Sequence, residues 1–148
     1  MNVYDPLCHT VTAEIAVPAE SAFRYLADPL KLGLWALGCF DTQPTGTDGL
    51  FKGTSLFDGS EAWFRIETDP KHFLIDYHVG DSKQQLPRIS TRVVPGPNYG
   101  RDTEHCMVSM IAWRVSDMPD HRWQRLCATH DAEIMIIQAQ LESQAASD

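Results

Sequence analysis

Residues 119–141 read PDHRWQRLCATHDAEIMIIQAQL, and from Asp120 to Asp148 the chain contains neither glycine nor proline. Within this run Trp123, Leu126, Cys127, His130, Ile134, Ile137 and Leu141 recur every three or four residues. At about 100° per residue these seven share one face of a helix, while Arg122, Arg125, Asp131 and Glu142 fall toward its sides or back. The spacing predicts one long amphipathic helix from about residue 119 to about residue 144. Such a stripe must be covered, and the question the rest of the chain answers is by what.

Upstream, His9 to Val17 alternates, with Val11, Ala13, Ile15 and Val17 on one face, the period-two pattern of a half-buried strand. Pro18 then stands where a helix tolerates a missing N–H, and Ala22, Phe23 and Leu26 continue at helical spacing. Asp28-Pro29 restarts a second short helix, with Asp28 as its N-cap and Leu30, Leu34 and Trp35 as its expected buried side. From Cys39 onward turn signals come quickly: Asp48-Gly49, Asp58-Gly59, Asp69-Pro70, then Gly80 to Pro87 and Pro95 to Gly100. They separate six strand-like segments, Phe40 to Pro44, Leu50 to Phe57, Glu61 to Thr68, Phe73 to Val79, Arg88 to Val94 and Glu104 to Arg114. Strands joined by tight turns are antiparallel. The expected fold is therefore α+β: a curved antiparallel sheet of six or seven strands, wrapped around the long C-terminal helix, with two short helices after strand one. No repeat or linker suggests a second domain, so residues 1–148 are expected to form one.

Acidic residues outnumber basic ones by 20 to 12, for a net charge of -8, and no Lys/Arg stripe is present to neutralise phosphates. Nucleic acid is excluded as an expected partner. Met1 to Leu7 carries Asp5 and Pro6 without a basic start or an apolar run, and no later stretch has the length of a membrane span. Cys8, Cys39, Cys106 and Cys127 are scattered, with no CxxC pair. Reduced thiols in a soluble, cytoplasmic protein are the expectation.

The segment Ala16-Val17-Pro18-Ala19-Glu20-Ser21-Ala22-Phe23, followed by Leu26-Ala27-Asp28-Pro29 and Trp35, resembles the START-like, polyketide cyclase/dehydrase superfamily, the SRPBCC or helix-grip proteins. The resemblance spans the chain in architecture and about the first 35 residues in motif. It implies a fold with an internal pocket for a small hydrophobic ligand, lipid-, polyketide- or aromatic-like. The superfamily also includes cyclases, oxygenase domains and cochaperones, so fold does not carry chemistry with it. No Cys-His or paired-His signature of a Rieske centre is present.

Among candidate residues, alternation places Phe73, Ile75, Tyr77 and Val79 inward with Ala62, Phe64, Ile66, Ile89 and Val93. Asp76 and His78 share the other face, and together they could tune a general base. The same parity sends Asp76, His78, Arg65, Arg88 and Arg92 to water as cross-strand ion pairs of small worth. His130, near the middle of the helical stripe, is expected inward and is the leading catalytic candidate with Tyr77. Structural satisfaction by a neighbour is the commoner fate of such a His. Expected pocket residues are Trp35, Phe64, Ile66, Phe73, Ile75, Tyr77, Ile89, Trp113, His130 and Ile134, with the entrance near the short helices and the loops at Gly80 to Pro87 and Pro95 to Arg101. His130 and Glu133 lie one helical turn apart, but no HExxH or CxxC completes a ligand set. No metal and no cofactor is expected. Met135 and Ile136 fall off the stripe and could form an exposed patch for a homodimer. The expected function is ligand binding, with an enzyme of the cyclase, dehydratase or hydrolase type as the alternative and a protein-interaction module as a third reading.

Overall fold

The structure, a computed structural model, describes residues 5–147; Met1 to Tyr4 of the amino-terminal segment considered above lie outside them. Strand β1 (Cys8–Ile15) leads into helix α1 (Ala19–Ala27) and the single turn α2 (Pro29–Leu32). Six strands follow: β2 (Phe40–Pro44), β3 (Phe51–Thr54), β4 (Glu61–Asp69), β5 (Leu74–Gly80), β6 (Gln85–Pro95) and β7 (Cys106–Trp113). A short 3-10 turn, Gly96–Tyr99, separates β6 from β7, and helix α3 (Asp120–Ser147) closes the order. All neighbouring strands pair antiparallel, in the order β1-β7-β6-β5-β4-β3-β2. This seven-stranded α+β helix-grip architecture agrees with the expected antiparallel sheet of six or seven strands around a long C-terminal helix.

The local chemistry explains the joints. The Pro18 carbonyl accepts the Ser21 and Ala22 amides to open α1, and Asp28, extended at the end of α1, caps α2 by accepting from the Leu30 amide at 2.9 Å. The second helix is shorter than the sequence suggests. It stops at Leu32, and the turns after it shift the helical phase, so Leu32, Trp35 and Ala36 are buried while Leu30 and Leu34 are exposed. Gly33 is required there, because a Cβ would lie 2.3 Å from the Thr42 amide nitrogen of β2. Thr42 locks the contact by donating to the Pro29 carbonyl at 2.6 Å.

Helix α3 runs three residues beyond the predicted end and buries Trp123, Cys127, His130, Ile134, Ile137 and Leu141, with Glu133 among them. Its polar flank ties it down. Gln138 donates to the Glu14 carbonyl, the Ala16 amide donates to Glu142, Gln140 donates to the Leu34 carbonyl and the Leu37 amide to Glu133. The main core lies between α1, α3 and the concave face of the sheet, with Ile15, Leu26, Ile75, Val108 and Ile137 at its centre. A smaller cluster of Met118, Trp123 and Cys127 seals the amino-terminal end of α3.

Candidate functional site

Between the sheet and the first half of α3 lies a cavity of about 340 Å³. The strands give it Phe64, Tyr77, Val79, Ile89, Met110 and Ala112; the segment after α2 gives Trp35 and Ala36; and α3 gives Arg122, Arg125, Leu126, His130 and Glu133. The β3–β4 turn, around Ser55 to Glu61, forms the rim. Leu32 and the segment after α2 reach the cavity as expected, but the expected loops largely do not. Of the loop from Gly80 to Pro87 only Gly80 reaches the wall, and no residue of Pro95 to Arg101 does. That segment sits at the far end of β1, where Arg101 pairs with Glu14 at 3.0 Å.

Of the ten residues expected at the pocket, Trp35, Phe64, Tyr77, Ile89 and His130 line it. Ile66, Ile75 and Ile134 belong to the core without reaching the cavity. Phe73 is not a strand residue: at φ 53 it makes a left-handed turn before β5, which swings its ring against Phe23 at 5.3 Å between centroids. Trp113 faces outward, 44% exposed, because the inward set of β7 is Cys106, Val108, Met110 and Ala112, and Trp113 follows out of phase.

Asp76 is exposed and His78, half-buried on the same face, has Glu67 at 3.5 Å; neither lines the cavity. Arg65 bonds Gln85 and the Asp48 carbonyl, and Arg92 is exposed. Arg88 breaks the expected row. Tyr77 pairs with Ile89 and His78 with Pro87, so Arg88 is the extra residue of a β-bulge. One extra residue resets the alternation, and Arg88 joins Ile89 on the concave wall. Burial, reinforced by the Arg122 charge, holds its guanidinium below the usual arginine range.

The polar groups at the cavity have distinct fates. Tyr77 donates its hydroxyl to the Leu26 carbonyl at 2.6 Å, a buried bond that joins sheet to α1. Its ring meets Trp35 edge-on at 6.1 Å. The His130 imidazole is buried, and desolvation, with His9 6.2 Å away ring to ring, pulls its pKa down to about 4. Burial pushes the Glu133 carboxyl up to about 8, although the Leu37 amide bond opposes this. The two side chains lie 3.8 Å apart, and burial disfavours the charged form of each. Three buried side-chain nitrogens at the wall, Trp35 Nε1, Arg88 Nε and His130 Nδ1, have no hydrogen-bond partner in the protein. The sequence pattern offers Glu133 only as a metal ligand and sends Arg88 to solvent. Among the described residues no group of three or more His, Cys, Asp or Glu side chains is placed to hold a metal ion.

No model of a protein family matches the chain, and no curated protein does. Solved structures do. A START superfamily protein from Mycobacterium smegmatis superposes with a TM-score of 0.68 at 12% identity, over 93% of this chain and 99% of that one. The Zhui aromatase/cyclase from a Streptomyces species gives 0.65 at 14% identity, over 93% and 94%. The Aha1 dimer from Colwellia psychrerythraea gives 0.65 at 13% identity, over 91% and 96%. At such identities the likeness speaks to fold, and together with the sheet order and the gripped terminal helix it establishes that this chain has the START-like helix-grip fold.

Proposed function

We propose that the chain binds a small hydrophobic molecule, ring-containing or acyl, in the cavity between the sheet and α3. The observation that carries this reading is the cavity itself. Its volume of about 340 Å³ lies at the lower end of the range for small-molecule sites, roughly 300–1,000 Å³, and a few polar groups converge on a mainly apolar wall. An oxygen atom on the ligand would satisfy the indole N–H of Trp35 or accept from the Glu133 carboxylic acid. A START protein and an aromatase/cyclase among the structures of like fold support a ligand of this kind. The test is fluorescence titration with the neutral apolar dye N-phenyl-1-naphthylamine, alongside native mass spectrometry of the purified protein. Ala112→Leu, which fills the wall from β7, is expected to weaken dye binding by about tenfold or more. Absence of dye binding by the folded wild type sinks the proposal.

A second reading is favoured by one observation, the buried His130 imidazole 3.8 Å from the buried Glu133 carboxyl, both on the cavity wall. In it the protein is an enzyme that enolises a bound carbonyl compound: His130 takes a proton from the carbon next to the carbonyl while Glu133 gives its own to the carbonyl oxygen. Loss of α-hydrogen from a 1,3-diketone into heavy water, followed by NMR, tests it. Exchange that is no faster with wild-type protein than with Glu133→Gln rules it out.

Self-association is also proposed, through Met135, exposed on α3; Ile136 beside it is half-buried against the core. A dimer in sedimentation that Met135→Glu dissociates supports this, and a monomer at high concentration removes it. No described helix is long and apolar enough to cross a membrane. The cytoplasmic setting we propose rests on the unpaired thiols of Cys8, Cys39, Cys106 and Cys127.

A further inference from the structure

We infer that the ligand of this cavity carries an anionic oxygen group, a carboxylate or an acid of similar shape, and that Arg88 holds it with help from Arg122 and Arg125. The inference rests on the binding reading above and names the class of compound bound. A chain of net charge -8 has only 12 basic residues, and three of them stand on the wall of one cavity. They come from separate elements: Arg88 from the bulge of β6, Arg122 and Arg125 from the first turns of α3. Elsewhere, Arg24, Arg101 and Arg114 each pair with a carboxylate, of Glu20, Glu14 and Asp120. Among the described residues, no carboxylate lies within the 4.0 Å ion-pair limit of Arg88, Arg122 or Arg125.

Asp117 acts on Arg88, and Asp58 on Arg125, only as charges beyond ion-pair distance, and the acidic residues of the rim make their close contacts to other groups. Asp58 accepts from the amide and hydroxyl of Ser60, and Glu61 pairs with Lys52 at 3.4 Å. Arg125 lies over the Phe57 ring, 4.7 Å from its centroid, which sets that guanidinium at the rim. Half-buried, with its Nε unpartnered, Arg88 is costly to the protein alone, since a guanidinium taken from water needs a matching anion. A planar carboxylate supplies that match in two parallel hydrogen bonds.

The test uses two dyes that share an apolar body and differ in one group: N-phenyl-1-naphthylamine, which is neutral, and 1-anilinonaphthalene-8-sulfonate, which is its anionic counterpart. The anionic dye is expected to bind at least about tenfold more tightly, with an advantage that shrinks as sodium chloride is raised. Arg88→Gln is expected to bring the two affinities within about threefold of each other, while Arg88→Lys retains part of the preference and Arg92→Gln, on the outer face of the same strand, retains all of it. Far-UV circular dichroism verifies the fold of each variant, and the neutral dye reports whether the apolar cavity persists in it. If wild type binds both dyes equally, or if the preference survives in Arg88→Gln combined with Arg122→Gln, the anion inference is overturned and the cavity reading stands. If neither dye binds, both fall.

Discussion

Glu133 is buried one position before Ile134, on the side of α3 that faces the segment after α2, and its environment makes a definite statement about pH. Its pKa is raised to about 8 from 4.5, so the unfolded chain ionises first as pH rises. The stability this group contributes is therefore complete below about pH 4.5 and is lost progressively up to about pH 8. Glu133→Gln keeps the acceptor for the Leu37 amide and removes the ionisation. The variant is expected to be more stable than wild type at about pH 9, on the order of a few kcal/mol, with the gap closing toward about pH 4. Urea titrations across that range check it, and a gap independent of pH would show that Glu133 ionises freely in the fold. His130 has the opposite sign, since its pKa is lowered to about 4: the stability it contributes is present above about pH 6.5 and lost as pH falls toward 4. Tyr77 differs from both. Its hydroxyl is committed to the Leu26 carbonyl, so Tyr77→Phe is expected to cost about 1–3 kcal/mol while leaving dye affinity nearly unchanged. A loss of binding without a loss of stability would return that hydroxyl to the ligand site. His130→Phe, by contrast, is expected to change binding, because its ring lines the wall.

Strand β1 was legible through its period of two, the later strands through the turn signals between them, and α3 through its period near 3.6, since a periodic pattern follows from burying one face. What alternation does not encode is an extra residue. Pro87, without an N–H, sits beside the bulge on β6, and nothing in the apolar pattern of residues 85–95 marks where the register slips by one. Regular alternation sends Arg88 to solvent, whereas the bulge turns it to the cavity. Phe73 and Trp113 fail for related reasons, a left-handed turn in one and strand phase in the other. Where the register is regular the parity argument is strong. Asp76 faces Glu67 and Ser90 on the convex side, so Asp76→Ala and His78→Ala should each shift stability by no more than about 1 kcal/mol and leave both dyes bound as before. A weakened dye in either variant would place a binding group on the convex face, against the register seen here.

At the scale of the molecule the sequence of elements forces the two ends of the chain together. β1, at residues 8–15, pairs along its whole length with β7, at residues 106–113, and α3 then packs back onto β1 and the segment after α2. The main core draws on both halves: Ile15 and Leu26 from the first part share one cluster with Val108, Met110 and Ile137 from the last. The chain is therefore expected to unfold as one cooperative unit. Trp35 and Trp123 are buried in different clusters, at the cavity and at the start of α3, and report on separate regions. Tryptophan fluorescence and far-UV circular dichroism should give superimposable urea transitions, and a chain ended at residue 118 should not fold, because it leaves the concave face of the sheet uncovered. Pairings so distant in sequence also predict slow refolding, on the order of milliseconds to seconds. An early transition that removes most of the helical circular dichroism signal and leaves the strand signal would show instead that α3 detaches while the sheet persists. The cavity it covers would then open by a local rather than a global route, and ligand affinity would track the stability of that helix alone.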